Sequence, residues 1–369
     1  MYFVRIEKMG NLDLDIEALS AQIKVNCDIS DARFWGTYSI CGLLLRLREL
    51  FRHEKGVKPW EEIPQEVISE WIAAKENLWH KIEESEFINL YMQKAEFPPF
   101  ESEGINRLLE KGGLLYGAGL GIRMKPSFFL AELLSKESID EYEVIIAGRE
   151  LVRDLSVYPA MLQGNTIVAR RDALAAVLWD KFEEIRPKKY KGALLYAFSQ
   201  YGIDPQVEAN ELLYTKIVQI ADEEIGAYIY HEIGEAHEGV TLGGPWKAML
   251  SGPLTRRAEL FVRGIKDVLS DTSDRGMLKY IIERRRQGSL GFYLSSLGGF
   301  RKMLFPEIQE MFLCFTERED WQLVEKARKK GHEKAGELAS SVLDIYRLQG
   351  DGAGEIIEKD LLDKMQPRS

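Results

Sequence analysis

The chain has 369 residues, with 49 Lys and Arg against 59 Asp and Glu, and the net charge of -10 argues against a general nucleic-acid-binding role. Its length is enough to bury a substantial core and suits two domains. Cys27, Cys41 and Cys314 are odd in number and far apart, which excludes a disulfide framework or a cysteine-type zinc site and points to a reducing, cytoplasmic compartment.

The opening segment MYFVRIEKMGNLDLD has no long apolar core and no small-residue cleavage site, so no signal peptide is expected. No apolar run approaches the length of a membrane span. Tyr2–Ile6 reads as a short strand and Leu14–Val25 as an amphipathic helix. A stronger helix is expected over Asp31–Arg52, with Trp35, Tyr38, Leu44, Leu45, Leu47 and Phe51 on its core face. Arg52, His53 and Lys55 before Gly56 form a cation-then-glycine stop signal. His53 there reads as a cation complementing the helix dipole. Pro64 opens a third helix, whose core face holds Val67, Ile68, Trp71, Ile72, Leu78, Trp79 and Ile82. His80 lies opposite that face and should be solvated.

Phe97-Pro98-Pro99-Phe100 breaks the pattern, and a short helix follows to about Lys111. The texture then changes to glycine-spaced or β-branched runs at Leu114–Met124, Tyr142–Gly148 and Ala160–Ala169, with Phe128–Leu134 readable as strand or helix. Gly164-Asn165 between two apolar runs predicts a two-residue hairpin turn. The Gly117-Ala118-Gly119-Leu120-Gly121 run lacks the helix and the Lys-Ser/Thr ending of a phosphate loop, so its glycines read as a closely packed strand. Arg123, Lys125, Arg149, Arg153, Arg170 and Arg171 punctuate this region. They read as surface charges, or as a ring around an anion pocket.

From Arg171 onward every segment reads as helix: Asp172–Ile185, Tyr190–Tyr201, Glu211–Glu238, Thr255–Leu269, Gly276–Arg286, Pro306–Phe315 and Arg318–Leu348. A loop with Gly243-Gly244-Pro245 interrupts them, and the tail after Gly350 is expected to be partly mobile. His332 sits at the edge of the last helix's apolar stripe. The fold class is therefore α+β and predominantly helical. Helices with a small, mainly antiparallel sheet occupy residues 1–170, and an all-α domain occupies 171–369.

The longest strongly periodic stretch, Glu211–Glu238, carries the candidate site. On a helical wheel, Tyr214, Val218, Ala221, Ile225, Ile229 and Ile233 form an apolar arc. Glu224, His231 and Glu235 line up along one flank that is apolar upstream. Burying such groups is costly unless they are paired or bind a cation. Two carboxylates and an imidazole suit zinc, iron or manganese, with Glu232 as a proton carrier. The same residues also read as an ordinary helix-end charge cluster, with His231 and Glu235 as an i,i+4 pair. Neither His-Glu-x-x-His nor a repeated Glu-x-x-His pattern is met.

A second feature is the basic segment Leu254–Lys302, whose eleven cations against five anions give +6 and leave -16 for the remainder. Arg256, Arg257, Arg263, Arg284, Arg285 and Arg286 are its candidate contacts for an acidic protein partner or an anion, although the segment could equally dock on the chain's own acidic regions. Few aromatics interleave the charges, against single-strand nucleic-acid binding. Two functional classes follow: a metal-dependent enzyme, or a binding or regulatory protein using the basic surface. A homo-oligomer is compatible with either.

Overall fold

The computed structural model describes residues 15–121, 124–186 and 192–365, so the expected strand at Tyr2–Ile6 and the side chain of Arg123 lie outside the described residues. Helix α1 (Ile16–Phe34) starts at Asp15, whose carboxylate accepts the Ala18 N–H at 2.9 Å. The single helix expected over Asp31–Arg52 is instead two. After a short turn at Trp35–Thr37, Ser39 accepts the Gly42 N–H and begins α2 (Ile40–Lys55). A serine at this position offers the backbone a cap in place of helix continuation. The split turns Leu44 and Leu45 outward, 52% and 46% exposed, while Leu47, Leu50 and Phe51 are buried. In α3 (Gln65–Ile82), Trp79 is buried as expected, but Val67 and Leu78 are exposed.

A small hairpin of β1 (Leu90–Met92) and β2 (Ala95–Phe97), which the sequence pattern does not reveal, precedes α4 (Ser102–Leu109). The main sheet holds β3 (Leu114–Leu120), β4 (Pro126–Ile139), β5 (Tyr142–Arg153), β6 (Ala160–Gln163) and β7 (Thr166–Arg170), in the order β3-β4-β5-β7-β6. Only the β5–β7 pair is parallel. Gln163 pairs with Thr166, so Gly164-Asn165 is the two-residue hairpin, with Gly164 at φ 61°.

The period-2 alternation of the strands produces two cores. Tyr116, Phe128, Leu130 and Val152 pack with Leu19, Ile23 and Cys27 of α1 and with Ile105 and Leu109 of α4. Leu115, Phe129, Ala131, Leu133, Ile145 and Ala147 form the other. The glycine run is a packed strand: a Cβ on Gly117 would stand 2.0 Å from the ring of its cross-strand partner Phe129.

After the sheet the chain is helical. It comprises α5 (Arg171–Ile185), α6 (Ala193–Gln200), α7 (Glu211–Ser251, broken at Gly243), α8 (Arg256–Thr272), α9 (Met277–Glu283), α10 (Gln287–Ser296), α11 (Gly299–Leu304), α12 (Pro306–Arg318), α13 (Trp321–Gln349) and α14 (Ala353–Ile357). The tail expected to be mobile is helical through Met365 and buries Ala353, Ile357 and Leu362 completely.

Two compact units divide the chain, one of residues 1–183 and 207–225, the other of 184–206 and 226–369. The sheet ends at Arg170, yet α5 and the first turns of α7 belong to the first unit. Trp179 of α5 and Tyr214 of α7 pack together there, with ring centroids 5.8 Å apart. Among the described residues no helix is long and apolar enough to cross a membrane.

Replacing a strand glycine by alanine ordinarily gains about 0.5–1 kcal/mol from backbone entropy. Gly117→Ala is expected to do the reverse and destabilise by about 1–3 kcal/mol, because Phe129 must move. Gly336→Ala on α13, whose added Cβ meets open space, is expected to stabilise. Chemical denaturation of both variants checks the contrast, and a neutral Gly117→Ala would contradict this packing.

Candidate functional site

On α7, two of the three residues expected to form a metal site are engaged by neighbouring side chains. Glu224 is buried and belongs to the first unit, whereas His231, Glu232 and Glu235 belong to the second. The close approach of α7 to the end of α8 decides what His231 meets. A Cβ on Gly234 would lie 2.3 Å from the Ser270 carbonyl oxygen, so glycine is needed at that contact. One residue further on, Asp271 is fully buried and its Oδ1 stands 2.7 Å from His231 Nδ1. The other Asp271 oxygen accepts from Arg301 Nη2 at 2.8 Å. Glu235 pairs with Lys266, and its second oxygen is 3.8 Å from His231 Nε2.

These partners fix the protonation of the imidazole. Burial opposes its charge, but Asp271 more than compensates, with Glu232 and Glu235 adding to it, and the pKa rises from 6.5 to about 9. Glu235 is held below the usual range because Lys266 outweighs the effect of burial. In this pairing His231 carries a proton at neutral pH, which ligation of a metal would have to displace. Among the described residues no group of three or more His, Cys, Asp or Glu side chains could hold a metal ion. For Glu224, His231 and Glu235 to ligate zinc, iron or manganese, Asp271 and Lys266 would first have to release the last two. Glu232 acts on His231 by helping to retain its proton.

The basic segment is largely matched within the second unit. Arg257 reaches Glu358 and Asp363, Arg263 pairs with Glu259, Lys279 with Glu283 and Glu325, and Arg301 with Asp271. Arg286 donates to Ser289. Arg256, Arg284 and Arg285 are exposed, with Arg284 6.0 Å from the centre of the Tyr280 ring.

A denser polar cluster lies in the first unit, where α2, the ends of β5 and β7, and α5 converge. Its centre is Glu150, whose carboxylate is within the core. Arg170 Nε donates to Glu150 Oε1 at 2.6 Å, and Arg153 Nη1 is 3.8 Å from Oε2. The Glu150 N–H donates to Asp172 at 3.1 Å, and its carbonyl oxygen lies 3.1 Å from His53 Nε2. Arg153 also donates to the Glu49 carbonyl at 3.0 Å. Arg48 bridges Glu49 and Asp180 at 3.4 and 3.3 Å. Arg170 lies over the Phe129 ring, 4.3 Å from its centroid, so the space left by Gly117 seats the ring that carries this cation.

The electrostatics of this cluster are unusual for surface charges. Burial, reinforced by Glu150, raises Asp172 to about 6, and burial with Glu49 does the same to Asp180. Burial and then Arg153 lower His53, so it is neutral and not the dipole-complementing cation expected from its position. Among the described residues, Arg153 Nε and Arg170 Nη2 have no hydrogen-bond acceptor, although these side chains are 6% and 0% exposed. Arg52 Nε and Arg171 Nε are in the same condition, at 3.7 and 3.9 Å from Glu49 and Asp222.

The sequence pattern singles out Arg153, Arg170 and Arg171 but misses Glu150, Asp172, Asp180 and His53. The one local signal is Arg170-Arg171-Asp172 at a strand-to-helix junction. The other basic residues of that set divide: Lys125 is buried against Asp31, Asp154 and Ser156, while Arg149 is exposed and pairs with Glu132.

Two family models match the chain. The N-terminal domain of a family of unknown function (DUF6866) matches residues 18–170, and the C-terminal domain of the same family matches 175–364. No curated protein and no solved structure matches.

A group whose folded pKa is raised stabilises the fold fully below its unfolded pKa and loses that contribution as pH rises through the folded value. His231 should therefore titrate near pH 9 by NMR, and stability should fall between pH 6.5 and 9, by on the order of 3 kcal/mol at most. Asp271→Asn is expected to bring the midpoint down and flatten that pH dependence. An imidazole titrating near 6.5 in the parent would contradict the assigned pair.

Proposed function

We propose that this chain, which belongs to the family of unknown function DUF6866, is a binding protein for a small oxyanion, held by the guanidinium network around Glu150. The observation that carries the reading is the set of buried guanidinium nitrogens, Arg153 Nε and Arg170 Nη2 foremost, that find no acceptor among the described residues. Leaving such a donor unsatisfied costs about 1–3 kcal/mol. A carboxylate, sulfate or phosphate group offers several lone pairs to several such donors at once, in the geometry that arginine matches best.

The carboxylates nearby do not defeat the reading. Asp172 and Asp180 already sit near 6 and are the least costly to neutralise when an anion arrives. Arg153 and Arg171 act on Asp172, and Arg46, Arg48 and Arg153 on Asp180, each favouring ionisation. Glu150 and Glu49 oppose it. An incoming anion adds to the opposing side, so binding takes up protons.

The division into an α+β domain over 1–170 and an all-α domain over 171–369 is retained as a proposal, with α5 contributing to the site. Divalent-metal chemistry at Glu224, His231 and Glu235 has less support, because Asp271 and Lys266 already engage the last two. For an acidic partner on the basic segment, Arg256, Arg284 and Arg285 offer the most accessible charge, while Arg257 and Arg263 would have to leave Glu358, Asp363 and Glu259.

Calorimetric titration of the full chain with sulfate, which does not titrate near neutral pH, tests the proposal. Saturable binding is expected, weakened at least tenfold in Arg153→Gln and in Arg52→Gln. Affinity should increase as pH falls from 8 to 5.5. No binding by the parent, or unchanged binding in both folded variants, would overturn it.

A further inference from the structure

The ionic cluster has an aromatic neighbour that anion binding alone does not use. Trp60 lies on the short segment between α2 and α3. Its ring centroid is 5.7 Å from Tyr214 and 6.3 Å from Trp179, at interplanar angles of 50° and 54°. Trp179 is buried, whereas Trp60 and Tyr214 are half-buried. Neither neighbour lies flat on the indole, and among the described residues no ring stacks on a face of Trp60. An indole tilted against its neighbours, with no ring stacked on it, keeps a face for offset stacking with another ring.

Two connections place this aromatic group beside the guanidinium network. Burial raises the Tyr214 hydroxyl to about 12, and Asp172, Arg153, Glu49 and Arg171 are the charges that act on it. Tyr214 is thus a neutral phenol with its ring against Trp60 and its hydroxyl among the cluster's charges. The segment carrying Trp60 is also tied to the network, since Arg52 Nη1 donates to the Lys58 carbonyl and the Lys58 N–H donates to Glu61 at 2.8 Å. Arg52 therefore holds the Trp60 segment while its Nε is one of the nitrogens lacking an acceptor.

We infer that the ligand is a ring-bearing oxyanion, an aromatic or heteroaromatic group carrying a carboxylate or phosphate. Its charged end meets Arg52, Arg153 and Arg171, and its ring lies against Trp60. This rests on the oxyanion reading above and adds the second half of the ligand. Tyr214 joins the two halves, because a protonated phenol can donate to the anion while its ring supports the indole.

The test uses matched probes on the full chain at pH 7, followed by calorimetry and tryptophan fluorescence. Phenyl phosphate is compared with inorganic phosphate, and benzoate with acetate, which also decides between phosphate and carboxylate as the charged group. At least one ring-bearing probe should bind ten times more tightly than its ringless counterpart and change the fluorescence. Trp60→Ala should reduce that advantage to threefold or less with ringless binding retained, and Trp60→Phe should restore most of it. Thermal melts establish that both variants fold. Equal affinity for ring-bearing and ringless probes, or an advantage that survives in Trp60→Ala, would overturn the inference and leave the oxyanion reading standing. If the parent binds none of the four probes, both readings fall.

Discussion

A carboxylate with no access to water must be answered by cations and donors within the protein, and Glu150 imposes that requirement on the first unit. It lies on β5 three residues before Arg153, and it recruits Arg170 from the end of β7. Its backbone N–H meets Asp172 on α5 and its carbonyl meets His53 on α2. One residue therefore ties two strands to two helices. The parallel pairing of β5 with β7 makes this possible, because it carries both strands toward the same end of the sheet. Removing one member of such a buried set leaves a charge uncompensated, which typically costs 3–5 kcal/mol. Even so, Arg153 Nε, Arg170 Nη2 and Glu150 Oε2 are left without a hydrogen-bond partner among the described residues.

The second unit handles its charges differently. Asp271 is as buried as Glu150, but His231 and Arg301 each meet one of its oxygens. Lys266 settles Glu235, and Arg257 settles acidic residues of the C-terminal segment. Much of the positive charge that is conspicuous in the sequence is thereby matched within the fold and contributes to cohesion between helices. Arg301 Nε still lacks an acceptor among the described residues, whereas in the first unit Arg52 Nε, Arg153 Nε, Arg170 Nη2 and Arg171 Nε are all left over in the same way.

What was legible in the sequence follows from the range of the interactions involved. The glycine-spaced and β-branched texture of the sheet strands, the Gly164-Asn165 turn and the amphipathic arc of α7 are local, and the sequence pattern predicts them. The break at Ser39 was missed because apolar periodicity continues through it, while a single cap decides the outcome. The partners of His231 lie forty residues on in Asp271, beyond any helical wheel, so a charge network resembled half of a metal site. The arginines around β5 and β7 could be named in advance, but not Glu150 as their organiser. Nothing in its sequence context distinguishes it from a surface glutamate.

The central claim is that the guanidinium groups around Glu150 form an oxyanion site, and anomalous diffraction locates such an ion directly. Crystals of the full chain equilibrated with tungstate, a heavy tetrahedral oxyanion, would show where it settles. The account predicts a strong anomalous peak within hydrogen-bonding reach of Arg153 and at least one of Arg52, Arg170 and Arg171. Peaks confined to the exposed basic residues of the second unit, with none at the Arg153 cluster, would contradict it.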